Sequence, residues 1–213
     1  SVTLSGRQIV RHMMSTINES VEGNYSHEGN AIVYGDTDSV YFSAAPALPE
    51  GTQMDLEMAT ELYDSVSDTV SKSFPNFMKN DFNVPLHQGE VIKAGREVVG
   101  RAGLFITKKR YAINVLDLEG WKPEGGKLKI MGLDIKRSDT PEFVQDWLEE
   151  LLLMSLNAEG EDKVIARIKE LKAEFKSLEP WLKGMPKRCN NLTMYTQKLL
   201  EQASVPENYR LHK

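Results

Sequence analysis

Ala31-Ile-Val-Tyr-Gly-Asp-Thr-Asp-Ser-Val-Tyr-Phe-Ser43 is the stretch on which the reading of this chain turns. Two short runs of β-branched and aromatic residues, 31–34 and 40–43, flank Gly35-Asp36-Thr37-Asp38. That pattern predicts a β-hairpin with an acidic turn at its tip. Gly35 is expected to relieve the backbone where the turn begins. Asp36 and Asp38, one residue apart on a short loop, repel each other unless a cation lies between them. Mg2+ fits such a pair, because it takes one or two carboxylates and fills its remaining positions with water or substrate phosphate.

Outward from the hairpin, Val10, Met13, Met14, Ile17 and Val21 recur at helical spacing and predict an opening helix that stops near Gly23 and lies against a sheet. A second helix is expected to carry Leu56, Ala59, Leu62, Tyr63, Val66 and Val70 on one face and to end before Pro75. Residues 90–99 read as one strand and 104–116 as one or two more, broken near Gly100 and Gly103, with a further alternating stretch over 127–135. Thr140-Pro141 reads as a helix start, with Thr140 as cap and Pro141 at the first helical position. Amphipathic helices follow around Phe143 to Leu152 and Val164 to Leu178, and a last one over 192–203. The fold class is α+β: an antiparallel sheet with packed helices, then a helical tail.

The chain has 213 residues, 40% of them apolar, enough to bury the core of one large domain or a domain with an appendage. A lone Cys189 cannot form an internal disulfide, and no Cys or His spacing fits zinc, so a reducing, cytoplasmic setting is expected. No segment approaches the ~18 uninterrupted apolar residues of a membrane helix, and no membrane partner is expected. The net charge of −5 argues mildly against nucleic-acid binding, yet residues 91–137 carry eleven Lys or Arg against five Asp or Glu. That segment is therefore +6 and the remainder −11, which describes a local basic face on an acidic chain.

A plain polar turn uses the same residue types as 36–39. Asp-x-Asp also holds metal in nucleotide-sugar transferases, so the spacing alone does not name a reaction. The flanks do more. Tyr34-Gly-Asp-Thr-Asp-Ser-Val-Tyr41 resembles motif C of family B DNA polymerases, and Thr107-Lys-Lys-Arg-Tyr111 resembles the Lys-x-Tyr motif of that family, in the same order. Arg96-Glu-Val-Val, Leu128-Lys-Ile-Met-Gly132 and Ser138-Asp-Thr-Pro141 are similar in order and spacing to polymerases of T-even-type bacteriophages.

The resemblance implies a ferredoxin-like palm over residues 1–145 and a helical extension, the start of a thumb, over 146–213. It implies nucleotidyl transfer by a two-metal-ion mechanism, with Asp36 and Asp38 as catalytic carboxylates and ligands to two Mg2+ ions, and with Glu97 supporting that metal site from a neighbouring strand. Thr37 and Ser39 fall where the primer end passes. Lys109 and Tyr111 match the residues that grip the primer-template, and as alternate positions of a strand they are expected to share a face. Lys108 and Arg110 face the other way, while Lys129, Lys136 and Arg137 extend the basic region toward the duplex backbone. Trp147 and Trp181 read as core residues and Cys189 as inert. His12, His27, His87 and His212 are assigned no catalytic role.

The family's motif A, with its metal-binding Asp, and motif B, the fingers helix that holds the incoming dNTP, have no counterpart in the sequence. The expectation is a palm fragment or split subunit, inactive alone, whose partner chain carries the exonuclease, motif A and the fingers. The competing expectation is a non-catalytic DNA-binding or assembly subunit of a split replicase that retains the palm fold.

Overall fold

A computed structural model describes residues 2–49, 51–52 and 54–185. These fall into two compact units, one ending at Gly132 and one starting at Leu133. The predicted helix over 192–203, Cys189 and His212 lie outside the described residues.

The first unit opens with α1 (Val2–Glu22), which ends as predicted, Gly23 taking φ +73° with its N–H on the Glu19 carbonyl. Ile9, Met13, Ile17 and Val21 pack against Val66, Val70 and Phe74 of α2 (Leu56–Phe82) as well as against Ile32, Val40 and Phe42 of the hairpin. Thus α1 is clamped between a helix and a hairpin rather than laid on a sheet alone. Its buried His12 joins the two helices: one ring nitrogen lies 2.8 Å from Ser73 Oγ, the other 2.7 Å from the Tyr25 hydroxyl, and the ring stacks on Phe77 at 4.0 Å.

Asp55 caps α2 by accepting the Met58 N–H at 2.8 Å. The helix does not stop before Pro75 but continues seven residues past it to Phe82, with Asn83 closing it in the left-handed conformation. Proline removes one intrahelical donor. Around it, Phe74 is almost fully buried and Phe77 is held by His12, so packing on both sides carries the helix through.

Strands β1 (Ile32–Asp36) and β2 (Ser39–Phe42) form the predicted hairpin, with Asp36 opposite Ser39 and a bulge near Val33. Residues 90–93 are not a strand: a short helix, α3 (Leu86–Gly89), precedes them, and Glu97 lies in an extended segment just ahead of β3 (Val98–Thr107). Strand β3 runs unbroken through Gly100 and Gly103, pairs antiparallel with β4 (Arg110–Leu118), and β4 pairs with β5 (Lys127–Met131). Those glycines make room rather than end the strand: a Cβ at Gly100 would lie 2.5 Å from Ile113 Cγ2, and one at Gly103 would lie 2.8 Å from Phe105 Cε2. The α+β class and antiparallel pairing hold, but the strands are divided between a two-stranded and a three-stranded sheet.

In the second unit, α4 (Glu142–Leu156) and α5 (Glu161–Ser177) pack through Phe143 and Phe175, and Arg167 of α5 binds Glu150 of α4 at 2.6 Å. Pro141 occupies the cap position of α4, and Thr140 donates its hydroxyl to the Asp134 carbonyl instead of capping the helix. Trp147 is half-buried against Phe143, whereas Trp181 is 75% exposed, so the expectation of a core Trp181 fails. It sits in a four-residue 3-10 turn after α5, off any inward helical stripe.

Candidate active site at two hairpin turns

The acidic turn consists of Thr37 and Asp38 between paired Asp36 and Ser39. Thr37 takes φ +56°, a costly conformation for a β-branched residue, and the turn holds itself in place. The Asp38 N–H reaches the Asp36 carbonyl at 2.7 Å, Thr37 Oγ1 donates to Asp36 Oδ1 at 3.1 Å, and Ser39 Oγ donates to the Asp36 carbonyl at 3.2 Å. Gly35 is extended, so it does not supply the positive φ expected of it. Its missing side chain instead accommodates Met14 of α1, whose methyl lies where a Cβ would be.

A second two-residue turn lies beside the first. Thr107 pairs with Arg110, leaving Lys108 and Lys109 at the tip, with Lys109 at φ +61°. Lys109 is therefore not on a strand, and the argument that it shares a strand face with Tyr111 does not hold. A different contact brings it to the acidic turn: its N–H donates to the Tyr34 hydroxyl at 2.7 Å, and its Nζ is 3.9 Å from Asp36 Oδ2. The ammonium is 66% exposed, so the pair contributes at most about 1 kcal/mol, but it offsets negative charge at the turn.

Rings position the two turns against one another. Tyr34 and Tyr41 are opposite one another on β1 and β2, and Phe105 and Tyr111 are opposite one another on β3 and β4. Ring centroids across the two hairpins lie 5.3 to 5.5 Å apart, and the Tyr41 and Tyr111 hydroxyls are 3.2 Å apart. Such pairs contribute about 0.5 to 1.5 kcal/mol each beyond burial. Burial and the neighbouring Tyr111 hydroxyl hold the Tyr41 phenol above its ordinary pKa, so it stays protonated.

Gly132, just after β5, supports the basic turn from below. Its φ is +62°, its carbonyl accepts Arg110 Nε at 3.2 Å, and a Cβ on it would lie 2.1 Å from the Lys109 carbonyl oxygen. Sequence reasoning assigned no role to Gly132, Phe105, or the rings of Tyr34 and Tyr41. The signal available for the rings was their place in β-rich runs, one flanking the predicted hairpin and one within residues 104–116.

The other predicted residues divide. Glu97 forms an ion pair with Lys129 at 2.9 Å, and no group of three or more His, Cys, Asp or Glu side chains arranged to hold a metal occurs among the described residues. Asp36 and Asp38 fit part of a hard-cation shell, two anionic oxygen donors on a fixed turn. Arg137 belongs to the second unit, where its charge is met by Asp139 at 3.0 Å and Asp134 at 3.6 Å. Lys136 ends the 3-10 turn there, and its side chain lies outside the described residues. Near the base of the second hairpin, buried Asp117 binds Arg96 and accepts the Gly120 N–H at 2.9 Å. Burial opposes its ionisation, but those bonds hold its carboxyl below the usual range. Among the described residues no helix is long and apolar enough to cross a membrane.

Two comparisons with known proteins bear on this arrangement. The DNA-directed DNA polymerase of Escherichia phage RB69 is 30% identical over 210 residues, covering 92% of this chain and 23% of that protein. The DNA-directed DNA polymerase of Enterobacteria phage T4 is 28% identical over 213 residues, covering 93% of this chain and 23% of that protein. The chain thus spans about a quarter of the length of these relatives. The family model for DNA polymerase family B matches residues 1–204, so the chain belongs to DNA polymerase family B.

Proposed function

We propose that this chain is the part of a template-directed DNA polymerase palm that carries the acidic turn and the primer-template grip, and that it works with a companion segment supplying the remaining metal ligand and the dNTP-binding fingers. The observation that carries this reading is the juxtaposition of Asp36 and Asp38 with the Lys108-Lys109 turn, through the Tyr34 hydroxyl and the ring cluster. Asp36 and Asp38 supply the negative oxygens for a divalent cation. When bound, Mg2+ would activate the primer 3′-hydroxyl and offset the charge of the departing pyrophosphate.

Within that site Asp38 is the firmer ligand and Asp36 its flanking carboxylate, steadied by the Lys109 ammonium. Thr37 and Ser39 border the primer end. Lys109, Lys108 and Arg110 offer cations to duplex phosphates, and the hydroxyls of Tyr111 and Tyr41 offer donors in a sequence-independent way. Glu97 tunes the site from outside through Lys129, and Lys136 and Arg137 add backbone contacts. Primer-template DNA and dNTP are the substrates, and the host cytoplasm is the setting.

The test is nucleotide incorporation by this chain reconstituted with its companion. Asp38→Ala is expected to lower incorporation roughly 10³-fold, equivalent to about 4 kcal/mol of barrier, with duplex binding nearly unchanged. Unchanged incorporation in Asp38→Ala, or incorporation by the lone wild-type chain, refutes the reading.

A further inference from the structure

Gly35 immediately precedes Asp36, yet the backbone there does not require a glycine. The residue lies within β1 and takes no positive φ, so other residues could adopt its conformation. The obstacle to a side chain is one atom of α1. A Cβ at Gly35 would lie 2.1 Å from Met14 Cε, whereas the nearest backbone atom, the Ser39 carbonyl oxygen, would be at an ordinary 3.6 Å. The Met14 methyl occupies a socket in the backbone next to the first acidic residue.

Its neighbours on α1 act differently. Ile9, Met13 and Val21 pack with Ile17 into the core formed with Val66, Val70 and Phe74 of α2, whereas half-buried Met14 sends its arm to the hairpin backbone. The base of that arm is held, because Ser15, Thr16 and Ile17 directly after it are buried. Methionine suits the task, being unbranched and able to seat its end in an irregular gap.

We infer that Met14 is a positioning residue for the reaction proposed above: its methyl, seated on Gly35, fixes the acidic turn against α1 and so sets where the Asp36 carboxylate stands. The bonds within residues 36–39 hold the shape of the turn but not its place in the unit. The Lys109 ammonium on Asp36 is too exposed to anchor it. The glycine before the acidic pair is thus demanded by a helix side chain and not by the bend. The effect on rate rests on the polymerase reading, but the contact is testable without DNA, nucleotide or metal.

In the full chain labelled with 13C at its methionine methyls, one methyl signal, assigned by its loss in Met14→Leu, should show a nuclear Overhauser effect to the Gly35 α-protons. Gly35→Ala should shift that signal without unfolding the protein, since the displaced atom is the far end of a flexible side chain. In the enzyme reconstituted with its companion, Met14→Ala and Gly35→Ala should each lower kcat roughly tenfold, with KM for primer-template and dNTP within about twofold. The double variant should be no worse than either single one, because both remove the same contact. Met14→norleucine, which keeps the arm and its terminal methyl, should restore the wild-type kcat. If Met14→Ala does not fold, Gly35→Ala carries the kinetic test.

A methyl signal with no Overhauser effect to Gly35, an unchanged kcat in Gly35→Ala, losses that multiply in the double variant, or a raised KM at constant kcat would overturn the inference. Wild-type reconstitution without activity, with the Overhauser effect present, would instead sink the polymerase reading and leave the contact standing.

Discussion

The acidic and the basic turn share a design and differ in what holds them. Each has two residues, each places a non-glycine residue in the left-handed region, Thr37 at +56° and Lys109 at +61°, and each sits at a hairpin tip. The acidic turn is tied by bonds among its own residues, 36 to 39. The basic turn is tied from outside, by the Tyr34 hydroxyl and by the Arg110 bond to Gly132. A self-tied turn keeps its geometry when neighbours change. An externally tied turn moves with its supports.

The contrast breaks first at the rings. Phe105→Ala removes the side chain that touches Tyr34, Tyr41 and Tyr111, and for a partly buried ring the cost should be about 2 to 4 kcal/mol in urea unfolding. If both turns depend on the cluster, amide exchange rises at both. If the acidic turn is as self-sufficient as its bonds imply, exchange rises mainly at Lys108 and Lys109.

Tyr34→Phe is a finer test, because it keeps the ring and deletes only the acceptor of the Lys109 N–H. The expected cost is about 1 kcal/mol, with faster exchange at Lys109, unchanged exchange at Asp38, and weaker duplex binding by the reconstituted enzyme. A slowed turn at Asp38 and an untouched Lys109 would reverse the assignment of supports.

The smallest effect spares both turns. Burial lowers the pKa of His12, so the folded protein favours the neutral ring while the unfolded chain takes a proton near pH 6.5. Its contribution is therefore fully present above that pH and is lost as pH falls through it. Urea midpoints measured between pH 7.5 and 5.5 should fall more steeply for the wild type than for His12→Gln, by less than the Tyr34→Phe change. Equal slopes would show that acid lability originates elsewhere than in the helix pair.

The acidic hairpin was legible in the sequence because everything that forms it is local: two β-rich runs, a short polar link and a matching register. The basic turn was not, since Thr107-Lys-Lys-Arg-Tyr111 contains no Gly, Asn or Asp to mark a bend, and strand alternation was the natural reading. Only the pairing of Thr107 with Arg110 and the Tyr34 contact, 75 residues away in sequence, reveal a left-handed Lys109. Pro75 misled for the opposite reason. A strong local stop signal was overridden by burial of Phe74 and the stacking of His12 on Phe77. The pairing of Asp36 with Lys109 was likewise invisible, because it depends on how two hairpins pack.

Gly132 sets a clearance. The absence of a side chain there lets the Lys109 carbonyl oxygen sit 2.1 Å from where a Cβ would be. Any bulkier residue there acts as a shim, lifting the cation relative to the paired carboxylates. Reactions that require aligned groups lose on the order of 10²-fold for a misplacement of about 1 Å. A position outside the acidic turn, bearing no chemistry of its own, thereby governs the spacing on which charge balance at that turn depends.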